Sequence, residues 1–120
     1  MDSETNIREL KEKVKKFCED RDWDQYHNAK DLAIGIVTEA SELLDHFRFK
    51  SLEQIEQMFL SEEKKDKISG ELADVFYFTL RLAQRYNIDL TNVLSKKMEE
   101  NDRKYPIEKS KGLNKKYTEL

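Results

Sequence analysis

Apolar residues return at intervals of three and four along most of the chain, the spacing that lines one face of an α-helix. Ile7, Leu10, Val14, Phe17 and Cys18 make a first stripe, which Thr5 or Ser3 can cap and which ends near Asp20. An aromatic and polar connection follows over 21–28, with Asn28 placed to cap a second helix over 29–47. The stripe of that helix is Leu32, Ile36, Leu43 and Phe47, and Gly35 within it allows a neighbour to come close. Ser51 with Gln54 three residues on matches a capping box and opens a short helix to about residue 58. Ser61 can cap a long helix over 62–86 that Asn87 closes. Its stripe runs through Ile68, Leu72, Val75, Phe76, Thr79, Leu82, Ala83 and Tyr86. Thr91 caps a last helix with Val93, Leu94 and Met98 turned inward, and it must stop before Tyr105-Pro106. Residues 106–120 form a polar tail with Tyr117 and Leu120 as anchors. The expectation is an all-α bundle of four to five helices, a single domain spanning 1–120.

Two acidic runs interrupt this pattern, Glu39-Ala-Ser-Glu42 and Glu71-Leu-Ala-Asp74. Glu39 falls inside the second helix's stripe and Glu42 at its edge. Glu71 projects beside the stripe of the long helix, and Asp74 lies a little further round. Acids three apart share a helix face, roughly 5–6 Å apart at Cβ. Such pairs also occur at Glu9/Glu12, Glu19/Asp22, Glu53/Glu56, Glu63/Asp66 and Glu99/Asp102, most of them solvated faces. What distinguishes Glu39, Glu42 and Glu71 is their apolar setting, where an unpaired carboxylate is costly. One remedy is a salt bridge to lysine or arginine, yet neither stripe contains a cation. The other is a divalent ion with a preference for oxygen, and Mg²⁺ is the usual one where phosphates bind. Asp45 extends the first run but rotates outward, a weaker candidate for an outer or second-ion ligand. Zinc would want cysteine and histidine, and a di-iron bundle would want Glu-x-x-His pairs. Neither pattern is present. His46 reads as a helix-face residue at the core edge, and His27 as a capping or loop residue able to touch substrate.

Composition narrows the class. One proline, three glycines and a charged fraction of 39% in 120 residues suit long solvated helices and leave little punctuation for sheet. No apolar run is long enough for a membrane span, and Met1-Asp2-Ser3-Glu4 is unlike a secretory signal. Cys18 alone can form no internal disulfide, so a cytoplasmic protein is expected. A net charge of −3 does not advertise nucleic-acid binding. Between Lys96 and Lys116, however, eight Lys/Arg face four acids. That segment is either a solvated helix end or a supply of cations for a polyphosphate.

Taken together, these residues resemble the all-α nucleotide pyrophosphohydrolases of the MazG-like superfamily, most closely the dCTP pyrophosphatase branch. The resemblance runs through residues 21–27, the two acidic runs, 94–98, Asn101 with 103–106, and 116–120. It implies hydrolysis of a (deoxy)nucleoside triphosphate to the monophosphate and pyrophosphate, in a pool-cleaning role. Mg²⁺, with Mn²⁺ as an alternative, would be held by Glu39, Glu42, Glu71 and Asp74. One of these carboxylates would take the proton of the attacking water. Lys97, Asn101 and Arg103 would face the phosphates with Lys104 or Tyr105 nearby, and Trp23 resembles the aromatic that stacks on the base. A homodimer or homotetramer with shared sites is implied as well, with no nucleic-acid or membrane partner expected. Cytosine-selective members carry a tryptophan where this chain has Phe49, a tyrosine where it has Phe78, and a histidine where it has Val14. Stacking survives these changes, while hydrogen bonds that would read a base edge are lost. The rival readings are a same-fold enzyme for dUTP or a modified nucleotide, and a non-catalytic helical interaction module.

Overall fold

The computed structural model describes residues 1–120, all of it helix and connection without a strand. The chain divides into two compact units, 1–87 and 88–120. In the first, α1 (Ile7–Glu19) is followed by α2 (Ala29–Asp45), α3 (Leu52–Leu60) and α4 (Glu62–Arg85). The second holds α5 (Leu90–Lys104), the single turn α6 (Ile107–Ser110) and a turn of 3-10 helix at Tyr117–Glu119. No helix is long and apolar enough to cross a membrane.

Caps fix most of the boundaries. Asn28 accepts from the Asp31 amide, Ser51 and Gln54 close the expected capping box, and Ser61 accepts from Lys64. Two caps differ from the sequence expectation. Asn6 rather than Thr5 or Ser3 caps α1, and Asp89 rather than Thr91 caps α5. In each case asparagine or aspartate accepts more strongly than threonine and takes the position nearest the first helical residue. The second helix stops at Asp45, two residues short of the expected end, and Phe49 carries the reversal at φ 63°. Asn87, at φ 53°, closes α4 as its side chain allows.

The 24-residue helix α4 is the axis of the first unit, packing against α2 most extensively and also against α1 and α3. Neighbours on several sides spread its buried positions around the cylinder. Ile68, Leu80, Arg81 and Ala83 are buried, whereas Leu72, Phe76 and Tyr86, expected in the stripe, are exposed. Cys18 from α1 and Leu32 from α2 complete the buried set, and the Cys18 thiol lies 3.1 Å from the Tyr77 hydroxyl. In the second unit Val93, Leu94 and Met98 are exposed rather than turned inward, and Tyr117 meets Tyr105 edge-on at 6.0 Å.

The closest approach of α2 and α4 is set by Gly35. A Cβ at that position would stand 2.5 Å from Cε1 of Phe78. Gly35→Ala is therefore expected to lower the unfolding free energy by about 1–3 kcal/mol, although alanine is the better helix former by about 1 kcal/mol. Urea denaturation checks this. Combining it with Phe78→Leu should recover part of the loss, whereas strict additivity would mean the ring does not meet residue 35.

Candidate metal centre

The Gly35–Phe78 contact draws together the faces that carry the acids. Glu39 lies one turn beyond Gly35 on α2, and Asp74 one turn before Phe78 on α4. Between them, carboxylate oxygens of Glu39, Glu42 and Glu71 all lie within 4.8 Å of one another. Glu39 and Glu71 are half-buried and Glu42 is exposed. Asp74 stands outside this trio but is near enough for its charge to be felt at Glu39. Burial first, then repulsion from Glu42 and Asp74, a hydrogen bond with Glu42 and the charge of Glu71 raise the Glu39 pKa above its usual 4.5.

No lysine or arginine forms an ion pair with any of the four acids. Their one basic neighbour is His46 at the end of α2, with Nε2 at 3.6 Å from Glu71 Oε1. Glu42, Asp45, His46 and Glu71 line an open recess of about 300 Å³. Asp45, which the helical wheel turned outward, thus borders the recess, and His46 is a member that sequence reasoning missed. Its spacing of four from Glu42 places it on the same face, a signal visible in the sequence. Uncompensated hard oxygen donors converging from two helices fit a divalent cation such as Mg²⁺ or Mn²⁺.

The aromatic candidates are placed separately. Trp23 sits in the connection between α1 and α2, edge-on to Phe17 at 5.7 Å and 37% exposed. Phe49 is 88% exposed, with the Arg48 guanidinium 4.6 Å from its ring centre. Phe78 is half-buried against Gly35 and edge-on to Tyr77 at 5.0 Å. Lys97, Asn101, Arg103 and Tyr105 belong to the second unit. Lys97 pairs with Glu100 at 2.9 Å and holds that carboxyl below its usual range, while Asn101 and Arg103 are exposed.

A buried arginine was not anticipated. Arg81, which a stripe reading leaves on the solvent side, is 0% exposed. Its Nε donates to His27 Nδ1 at 2.9 Å and its Nη1 to Gln84 Oε1 at 2.6 Å, while Nη2 pairs with Asp24. Arg85 reaches the same carboxylate at 3.4 Å. The hydrogen bond from Arg81, above all, lowers the Asp24 pKa, and burial followed by the Arg81 charge lowers that of His27. Asp24 and the Arg81/Arg85 pair are visible in the sequence, but nothing there says that they meet.

A model of the MazG-like family matches residues 34–120, a stretch containing all four acids. The Bos taurus protein named dCTP pyrophosphatase 1 is 31% identical over 118 residues, covering 98% of this chain and 70% of its own. Its Homo sapiens counterpart is 30% identical over 117 residues, covering 98% and 69%. Among solved structures, a pyrophosphatase from Archaeoglobus fulgidus matches with a TM-score of 0.77 and 34% identity, over 83% of this chain and 92% of its own.

The raised Glu39 pKa has a consequence for stability. A carboxyl whose folded-state value exceeds its unfolded one favours the fold at low pH and opposes it as pH climbs through the folded value. Stripped of divalent ions, Glu39→Gln should melt several degrees above wild type at pH 7, with the gain fading as pH falls toward 4.5. Added Mg²⁺ should raise the melting temperature of wild type and leave that of the variant nearly unmoved. Calorimetry at several pH values, with and without Mg²⁺, checks both.

Proposed function

This chain belongs to the MazG-like family, and from that premise we propose that it hydrolyses a (deoxy)nucleoside triphosphate to the monophosphate and pyrophosphate with the help of Mg²⁺. At the level of reaction class it is a nucleoside triphosphate pyrophosphohydrolase, in keeping with the relatives named dCTP pyrophosphatase and the pyrophosphatase of similar fold. The observation that carries the reading is the trio Glu39, Glu42 and Glu71, gathered from two helices without a lysine or arginine to neutralise them. Those residues with Asp74 would hold the ion. Bound there, it supplies charge neutralisation and Lewis acidity at phosphoryl oxygens. A carboxylate of the group accepts the proton of the attacking water, a task suited to one whose pKa neighbours raise. Lys97 and Arg103 neutralise the departing pyrophosphate, with Asn101 and Tyr105 as further phosphate contacts.

Trp23, Phe49 and Phe78 hold the base by stacking. A dCTP-like substrate is favoured, with selectivity looser than a site lined by hydrogen-bonding aromatics would give, because the two phenylalanines offer no polar atom. Self-association completes the reading. Ile34, Val37 and Leu44 on α2 and Leu72 and Phe76 on α4 leave apolar surface exposed, as at interfaces between copies. A homodimer or homotetramer is therefore proposed, in a pool-cleaning role.

Glu39→Gln and Asp74→Asn should each cut Mg²⁺-dependent pyrophosphate release by about a hundredfold or more. Circular dichroism and sedimentation should remain those of wild type. Full activity in both variants would remove the metal assignment. A panel of canonical and modified (d)NTPs, assayed for pyrophosphate, then ranks the substrates.

A further inference from the structure

The recess beside the acidic trio has a nitrogen in its wall. Glu42 and Glu71 belong to both groupings: with Glu39 they form the trio, and with Asp45 and His46 they line the opening of about 300 Å³. His46 is placed by the way α2 ends. It keeps helical angles as the residue that closes the helix, φ −59° and ψ −30°. Standing one turn after Glu42, it leaves the same face. The chain turns directly afterwards, with the Phe47 amide bonded to the Leu44 carbonyl and the Phe47 ring stacked on Phe59. The last turn of α2 therefore presents Glu42, Asp45 and His46 together, and α4 brings Glu71 to the same recess. His46 Nε2 faces Glu71 Oε1 at 3.6 Å, too far for a good hydrogen bond. Two donors on one octahedral ion with bonds of about 2.1 Å stand about 3.0 Å apart in cis and about 4.2 Å in trans. The spacing of Nε2 and Oε1 lies between these and suits a shared ion better than a direct bond. Both side chains are about a quarter exposed, open enough for an ion to arrive and covered enough to hold their places.

We propose that His46 lends its Nε2 to the divalent ion that the acids hold, and that this nitrogen tilts the site from Mg²⁺ toward Mn²⁺ and the later first-row metals. This rests on the reading of the acids as an ion site and adds a donor to it. Mg²⁺ prefers oxygen and gives up its waters reluctantly. Imidazole is a good ligand for first-row divalent metals, so one nitrogen among carboxylates favours them over Mg²⁺. The acids remain in the majority, which keeps the donor set unlike the cysteine and histidine sites of structural zinc. If His46 were only a counter-charge for Glu71, it would compete with an entering ion, and its removal would tighten binding of every divalent metal. The two roles thus predict effects of opposite sign.

Mn²⁺ is paramagnetic, so pulsed EPR reads its ligands without turnover. The probe is Mn²⁺ bound to protein labelled with ¹⁵N at histidine alone, where His27 and His46 are the two histidines. Wild type should show the ¹⁵N coupling of a directly bonded imidazole. That coupling should vanish in His46→Gln and persist in His27→Gln. Competition titrations then give the dissociation constants of Mn²⁺ and Mg²⁺. Wild type should prefer Mn²⁺ by at least about tenfold. His46→Gln should weaken Mn²⁺ about tenfold or more while moving Mg²⁺ less than about threefold. Glutamine can still donate to Glu71 but brings no nitrogen ligand, so His46→Leu should give the same constants. Three results overturn the inference: no coupling in wild type, tighter binding of both ions once His46 is replaced, or a Mn²⁺ preference that glutamine keeps and leucine loses. Failure to bind either ion removes the metal centre and this inference with it. Nitrogen-coupled Mn²⁺ in a protein that releases no pyrophosphate removes the proposed function and leaves the role of His46 standing. If His46→Gln does not fold, the coupling in wild type and in His27→Gln decides alone.

Discussion

Mutual repulsion among Glu39, Glu42 and Glu71 is the constraint around which α2 and α4 are arranged. Helices packed through Gly35 and Phe78 cannot retreat from one another without opening a gap, so the charges are held at a separation they would not choose. The core that opposes them is small: Cys18, Leu32, Ile68, Leu80 and Ala83 are its buried apolar members. Acids kept in this way are destabilising by themselves, and any cation that entered among them would add stability, linking folding to ion binding. Such local cost at a working site is a common feature of enzymes.

Arg81 meets the opposite problem by opposite means. A buried guanidinium is expensive to desolvate, and its cost is met by directional partners on three sides rather than by a mobile ion. The benefit is geometric. The short connection after α1 contains no proline or glycine to stiffen or turn it, and yet Asp24 and His27 are fixed to α4. Tyr86 adds a second tie, its hydroxyl accepting from the Ala29 amide at 2.8 Å where α2 begins. Both ends of the connection are thus fastened to the long helix.

Helix periodicity and cap chemistry made the all-α fold and most of its boundaries legible, because both are local properties. Ser51-x-x-Gln54, Ser61 and Asn28 act where they were expected, and Gly35 is the close-approach position its sequence context suggested. The caps found at Asn6 and Asp89 rather than where they were expected involved rival residues within three positions, where a modest difference in acceptor strength decides. Burial was less legible. Leu72, Phe76, Leu94 and Met98 obey the helical period yet lie open, since periodicity marks an apolar face without naming what covers it. At the acidic cluster the convergence of three of the acids followed from their intrusion into apolar stripes. The approach of His46 depended on how α2 ends, and the burial of Arg81 on a fold that brings residue 24 to residue 81, neither of which spacing can encode.

Ser61 ends α3 and begins α4, its backbone N–H bonding back to Met58 while its side chain caps the first turn ahead. No loop absorbs movement between these helices. Phe59, near the end of α3, stacks on Phe47 at 6.0 Å, so the short helix is also moored to the segment leaving α2. The two joints leave α3 little freedom of its own: the segment that leaves α2 at Phe47 is tied through α3 and Ser61 to the start of α4, on the same cylinder that bears Glu71 some ten residues on.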